Sequence, residues 1–156
     1  MGGAEVMLRM VFFLKGSTGK LSYYGTATAL SVARRYLAGA SVGNYALFGG
    51  GYASLVSDVV DAYNTSLTRS TPTALSVARR YLAGASVGDY ALFGGGYTGS
   101  YTDVVDAYNT SLTRSTPTAL SVARYSLAGA SVGDYALFGG GNTGSVSDVV
   151  DVYEYS

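Results

Sequence analysis

The chain contains no cysteine, no histidine and no tryptophan, and only two of its 156 residues are proline. Without cysteine and histidine it cannot form a disulfide, a thiolate nucleophile, a zinc site of Cys and His ligands, or a Ser-His-Asp triad. The sequence therefore predicts a protein with no enzymatic activity, no cofactor and no metal. An enzyme acting on glycans through a pair of aspartates is the alternative. The compartment cannot be inferred, because cysteine usage is the usual guide to it.

Charged residues are also few. Lysine and arginine together number ten, aspartate and glutamate together number ten, and the formal net charge is zero. Nucleic acids and anionic membranes attract proteins with a surplus of basic residues, so neither is predicted as a partner. An apolar stretch at residues 6–14 is interrupted by Arg9 and is shorter than the roughly 20 residues that span a bilayer. No small-residue cleavage site follows this stretch, so a signal peptide is not predicted.

Glycine and tyrosine, by contrast, are abundant, with 22 and 15 copies. The octapeptide YALFGGGY occupies residues 45–52 and 90–97, and YALFGGGN occupies residues 135–142. The period is 45 residues, and the blocks 30–74 and 75–119 differ at only six positions. A period of this size predicts a repeat architecture, in which neighbouring units together bury a face that no single unit can bury alone.

Each unit contains four short segments of β type, separated by glycine, asparagine or proline. In the first unit these are residues 36–42, 45–48, 58–63 and 67–73. The last segment contains Pro72, which cannot donate a ladder hydrogen bond, so we place it at a sheet edge. The first segment is built of small residues, which suit a place where several sheets crowd together. A helix over residues 30–40 is the alternative for that region.

Four short strands per repeat are typical of the blades of a β-propeller. The unit resembles the kelch repeat, in which an arginine opens the inner strand, a glycine doublet ends the next strand and a tyrosine stands late in the third. These elements are Arg34, Gly49-Gly50 and Tyr63, then Arg79, Gly94-Gly95 and Tyr108, then Arg124, Gly139-Gly140 and Tyr153. The resemblance covers residues 22–156 but lacks the tryptophan that usually follows the tyrosine. It implies an all-β propeller of four-stranded antiparallel blades, with Leu47 and Phe48 anchoring the first blade in the core.

The three units are predicted to form three blades, from residues 30–74, 75–119 and 120–156. Residues 22–29 align with residues 67–74 at the same offset, so we expect them to supply the outer strand that closes the last blade. Propellers typically have four to eight blades. We therefore predict a homodimer that forms a six-bladed ring. Residues 1–21 are interpreted as an extra strand or the remnant of a preceding blade, and a fragment of a longer propeller or an engineered chain is the alternative.

A pair of aspartates recurs in every unit, at Asp58/Asp61, Asp103/Asp106 and Asp148/Asp151. Two carboxylates can act as general acid and base or bind calcium, but residues three apart in a strand face opposite sides. A metal bound by several blades on the axis stays an alternative. We predict instead that the second aspartate forms an ion pair that holds blades together, in Arg34–Asp61, Arg79–Asp106 and Arg124–Asp151. The first aspartate is predicted to bond backbone at the strand start.

The units differ most in one loop, at residues 52–57, 97–102 and 142–147. Binding residues tend to lie on loops of a rigid scaffold, and tyrosine offers contact area together with a hydroxyl. The candidate binding residues are Tyr52, Leu55, Tyr97, Tyr101 and Asn142. The sequence thus predicts a non-enzymatic scaffold for protein–protein interaction or self-assembly, as the kelch resemblance also implies, since some kelch proteins are adaptors. A carbohydrate-binding module that uses the loop tyrosines is the alternative.

Overall fold

The computed structural model describes residues 19–156 of the chain. These residues form eleven strands in three antiparallel sheets, with no helix among them. The prediction of an all-β fold is confirmed, and the helix considered for residues 30–40 is not formed. The described residues accordingly contain no helix long and apolar enough to cross a membrane. The interpretation of residues 1–21 as a strand or blade remnant falls almost entirely outside the described range.

Each repeat forms one sheet. The first sheet consists of β1 (Ala38–Val42), β2 (Tyr45–Gly49), β3 (Val60–Tyr63) and β4 (Arg69–Ser70). The second consists of β5 (Ala83–Val87), β6 (Tyr90–Gly94), β7 (Val105–Asn109) and β8 (Arg114–Ser115). The third has three strands, β9 (Ala128–Val132), β10 (Tyr135–Gly139) and β11 (Val150–Glu154). Strands adjacent in sequence are paired in space, so every sheet is an antiparallel meander.

β1 and β3 each begin two residues later than predicted, and the outer strand is much shorter than predicted. It was expected over residues 67–73, but only Arg69 and Ser70 pair with β3. Leu67 has a φ of 59° and closes a turn before the strand, and Pro72 lacks the N–H needed to extend the ladder after it. The strand does lie at the sheet edge, as Pro72 required.

The inner strands β1, β5 and β9 lie side by side where the three sheets meet. The Ser41 N–H donates to Ser86 Oγ at 2.9 Å, and the Ser86 N–H donates to Ser131 Oγ at 3.1 Å. A Cβ on Gly84 would overlap the carbonyl of Gly39, and the next glycine of the series, Gly129, meets the Gly84 carbonyl in the same way. Glycine is therefore required wherever one inner strand crosses its neighbour.

The hydrophobic core lies between the sheets. Val42, Leu47 and Val60 of the first sheet are buried against Leu82 and Phe93 of the second. The same positions, 45 residues further on, form an equivalent core between the second and third sheets. This core explains the repeated apolar run that ends in glycine, because the Phe93 ring lies 3.1 Å from where a Cβ of Gly49 would stand. The glycine of one sheet thus admits the phenylalanine of the next.

Residues 22–29 form no strand in this structure, and no described strand pairs with the outer edge of β11. The end of this segment lies on the first sheet instead. The carbonyls of Thr28 and Ala29 accept hydrogen bonds from Tyr63 Oη at 2.8 Å and from Arg69 Nη1 at 2.6 Å. The expectation that residues 22–29 close the last sheet therefore stays a prediction.

Candidate interaction surfaces

Each repeat contains one buried arginine whose guanidinium is bonded entirely within its own sheet. Arg79 Nη1 donates to Asp106 Oδ2 at 2.7 Å, and both side chains are fully buried. Its Nε and Nη2 donate to the carbonyls of Gly95 and Phe93 at 2.8 and 2.9 Å. The other repeats contain the same 2.7 Å pair, in Arg34–Asp61 and Arg124–Asp151. The arginines and aspartates paired in the sequence analysis do meet, but they join parts of one sheet and not two neighbouring sheets.

Two of these ion pairs lower the pKa of their carboxylates, at Asp61 and Asp151. Burial disfavours the charged form of Asp61, but hydrogen bonds from Arg34 and Ser31 outweigh that effect and hold the pKa of Asp61 below its usual value. At Asp151, burial is likewise outweighed by hydrogen bonds from Arg124 and Ser121, so its pKa is also lowered. A carboxylate held ionised and bonded in this way is suited to a structural role and poorly suited to donate a proton.

The first aspartate of each pair does not make the backbone hydrogen bond predicted for it. Within residues 19–156, no N–H at the strand start donates to the carboxylate of Asp58, Asp103 or Asp148. Ser57 Oγ and Thr102 Oγ1 fill that role, each accepting at 3.2 Å from the N–H two residues further on. Within residues 19–156, no three acidic side chains converge as a metal site would require.

One end of the sheets carries an array of arginine and tyrosine that we call the loop surface, consisting of Arg35, Tyr52, Arg80, Tyr97, Tyr101 and Tyr125. Isolated bridges join Arg35 to Tyr52 and Arg80 to Tyr97, so each variable loop is fixed to the segment before an inner strand. The Arg80 guanidinium lies 4.7 Å from the Tyr52 ring and 5.6 Å from the Tyr97 ring. One arginine thus contacts tyrosines from two repeats, and a cation–π geometry holds it there.

The third repeat extends this array with aromatic rings. Tyr125 occupies the position of Arg80, and the ring of Tyr101 stacks on it at 5.4 Å with an interplanar angle of 29°. Tyr97 lies 5.6 Å from the same ring. With Arg80, Tyr81 and Ser126, these tyrosines line an open pocket of about 470 Å³. Arg80 Nε is buried without a hydrogen-bond partner in the described range, so the pocket contains an unused donor.

The predicted binding residues fall into two groups on this surface. Tyr52, Tyr97 and Tyr101 lie within the array, whereas Leu55 is 75% exposed at a loop tip. Asn142 bridges to Tyr125, and its Oδ1 accepts from the Gly144 N–H at 2.7 Å, which gives it a role in the loop itself. Arg35, Arg80 and Tyr125 are not among the predicted binding residues. The available signal was the second residue of the doublets at positions 34–35, 79–80 and 124–125.

Two sheet faces at opposite ends of the chain are apolar and uncovered. The first-sheet open face consists of Leu30, Leu37, Ala46 and Phe48, which line an open groove of about 790 Å³ together with the buried Tyr63. Phe48 is 38% exposed there, whereas its equivalents Phe93 and Phe138 are 0% exposed. The third-sheet open face consists of Val132, Leu137, Val150 and Val152. Val150 is 54% exposed, whereas its equivalents Val60 and Val105 are 1% exposed.

In comparisons with known proteins, no protein-family model and no curated protein sequence matches this chain. The resemblance to kelch repeats therefore stays an expectation that rests on the residues quoted for it.

Proposed function

We propose that this chain is a non-enzymatic, kelch-like β-propeller scaffold that acts by binding protein, in the first place a second copy of itself. The observation that carries the proposal is the pair of open apolar faces on the first and third sheets. Large apolar faces on a soluble protein mark sites of association. Two chains bring six sheets together, a number within the usual range for propellers.

The buried charged side chains also support the proposal, because they are used within the sheets. The buried arginines and aspartates of the three repeats are bonded to each other and to backbone carbonyls. Their bonding leaves the sheets rigid and leaves the apolar faces and the loop surface as the parts available to a partner. A rigid scaffold with accessible loops and faces is suited to binding.

Self-association can be measured by fluorescence anisotropy. A dye on Ser111→Cys labels an exposed hairpin tip of the middle repeat uniquely, since the chain has no cysteine. Titration of unlabelled chain into a trace of labelled chain should give a saturable rise. Val152→Asp should abolish the rise by charging the third-sheet open face, while Ser100→Asp, on an exposed loop of the middle repeat, should leave it intact. A flat titration of the unmodified chain, or equal losses in both variants, would contradict the proposal.

The loop surface favours carbohydrate binding as a second candidate function. Tyrosine rings provide faces and hydroxyls for a sugar, and arginine forms paired hydrogen bonds with carboxylates. Neither Arg35 nor Arg80 forms an ion pair with another described residue. A glycan carrying carboxylate groups fits this combination best.

A glycan array tests this second candidate. Binding to acidic glycans should be lost in Tyr101→Ala, which removes a ring that is 40% exposed in the pocket wall, and weakened in Arg80→Gln. Tyr135→Ala is the matched control, because that ring is 44% exposed and lies outside the loop surface. An array without signal would reject carbohydrate binding and leave the association proposal unaffected.

A further inference from the structure

We infer that the second copy docks head to tail, so that its first-sheet open face covers the third-sheet open face of the first copy. The contacts would be the same as those by which the second sheet packs on the first, and the third on the second, within one chain. This inference rests on the proposed function and adds to it a binding mode and a set of contacts. The evidence is a series of inter-sheet contacts that repeat every 45 residues. In each series, one residue at either end of the chain lacks its partner.

The clearest series pairs a phenylalanine with a glycine. A Cβ on Gly49 would stand 3.1 Å from the Phe93 ring, and a Cβ on Gly94 would stand 3.1 Å from the Phe138 ring. Gly139 is the next glycine, and among residues 19–156 its only neighbour within 4 Å is Val150, at 3.5 Å. This series therefore leaves one described phenylalanine without a glycine, Phe48, and one glycine without a phenylalanine, Gly139. Docking places Phe48 on the partner's Gly139.

A second series pairs a leucine with the middle glycine of each glycine triplet. Leu82 lies 3.0 Å from where a Cβ of Gly50 would stand, and Leu127 lies 2.9 Å from where a Cβ of Gly95 would stand. At Gly140 the nearest atom is a carbonyl oxygen 3.7 Å away, so the space is open. Leu37, the leucine of the first repeat, is only partly buried. The same docking places Leu37 on the partner's Gly140.

Backbone hydrogen bonds between sheets follow the same series. The Gly51 N–H donates to the Arg79 carbonyl at 2.8 Å, and the Gly96 N–H donates to the Arg124 carbonyl at 2.9 Å. The third donor, the Gly141 N–H, has no such bond with any described residue. Docking directs it to the carbonyl of the partner's Arg34. Polar groups at the two ends are therefore complementary as well as apolar ones, which a chance apolar contact would not provide.

On the inner strands, Gly39 is the residue that best distinguishes the fold of one chain from docking between two. Gly84 and Gly129 each lie against the carbonyl of the preceding inner strand, so a Cβ on either would overlap backbone. Gly39 has no such neighbour among the described residues of its own chain, where the nearest atoms to a Cβ would be those of the Phe48 ring, at an ordinary 3.6 Å, and the Leu47 carbonyl at 3.8 Å. In the docked pair, that Cβ would overlap the carbonyl of the partner's Gly129. Alanine at position 39 is thus compatible with the fold and incompatible with docking.

The first experiment compares Gly39→Ala with Ser111→Ala in the anisotropy titration. Gly39→Ala should keep the circular dichroism and melting profile of an intact monomer and bind at least tenfold more weakly. Ser111→Ala, at the exposed hairpin tip of the middle repeat, should bind as the unmodified chain does. Association of Gly39→Ala at full strength would overturn the head-to-tail register, since no rearrangement of a side chain can relieve overlap with backbone.

The second experiment uses paired cysteines in a chain that has none of its own. Ser41→Cys combined with Ser131→Cys should give covalent dimers on oxidation, because these positions become neighbours only between copies. Ser41→Cys combined with Ser86→Cys is the matched control, since these strands already lie side by side within one chain and should cross-link internally. Ser111→Cys with Ser131→Cys is out of register and should remain unlinked.

The outcomes separate the two levels of the proposal. Self-association without the Ser41–Ser131 cross-link, while the internal control oxidises, would overturn the register and leave the proposed function intact. An unmodified chain that does not associate would overturn both. A Ser41–Ser131 link formed within single chains would show a closed ring of three sheets and would also overturn the inference.

Discussion

The arginine that opens each inner strand determines how the rest of its sheet is held. The Arg79 side chain is fully buried and bonds to Asp106 and to the carbonyls of Phe93 and Gly95. Removing one partner of such a pair leaves an uncompensated charge in the interior, which costs about 3–5 kcal/mol. Its importance is therefore greater than that of an ion pair on the surface, which contributes about 0–1 kcal/mol.

Asp106→Ala should lower the free energy of unfolding by about 3–5 kcal/mol, because Arg79 then stays buried without its counter-charge. Asp103→Ala removes an exposed aspartate from the same repeat and should change stability by no more than about 0.5 kcal/mol. Urea unfolding of both variants measures the difference. Equal losses would show that the buried ion pair has no special part in stability.

Stability should fall in acid. The folded-state pKa of Asp61 and of Asp151 is lowered, whereas the unfolded-state value is about 3.9. Below about pH 4 the unfolded chain binds more protons than the folded one, so the stabilisation present above that pH is lost as pH falls through the folded pKa. The urea midpoint should decline below about pH 4, and less steeply in Asp151→Asn. A midpoint that stays constant there would contradict this reading of the ion pairs.

At the scale of elements, the sequence was informative where a local rule determines the result. Short runs of apolar or small residues, separated by glycine and asparagine, located β1, β2 and β3, and Pro72 placed the outer strand at an edge. The extent of that strand was not predictable, because it depends on the left-handed backbone of Leu67, and leucine has no intrinsic preference for that conformation.

The sites were predictable to a lesser degree. Repetition alone indicated that arginine and aspartate would pair. Whether the pair lies within one sheet or joins two sheets depends on how the segment before β1 folds against β2 and β3. Arg80 was missed for a related reason. Its contacts with Tyr52 and Tyr97 join two repeats, and no pattern within a single repeat records them.

The segment at residues 22–27 should become the outer strand of the partner's third sheet. Ser70 pairs with Ala62 and Ser115 pairs with Ala107, so the 45-residue offset places Gly25 opposite the partner's Val152. Gly25→Cys with Val152→Cys should therefore form covalent dimers on oxidation. The matched internal control is Ala62→Cys with Ser70→Cys. If the control oxidises and the Gly25/Val152 cysteines stay reduced, residues 22–27 do not form the outer strand of the partner's third sheet.

At the scale of the whole molecule, the interfaces between sheets are nearly copies of one another. Stability in such a protein is approximately the sum of its units and of the contacts between neighbours, so a further equivalent interface adds to it. A head-to-tail contact either closes into a ring or continues as an open chain of molecules. Closure at two chains is the arrangement that our account requires.

Light scattering on a sizing column, over a wide range of concentrations, tests that requirement most directly. The account predicts a single species with twice the chain mass of 16.1 kDa, which dissociates in Gly39→Ala. A mass of 16.1 kDa at every concentration would contradict self-association through the two open faces. A mass that keeps rising with concentration would contradict closure of the ring.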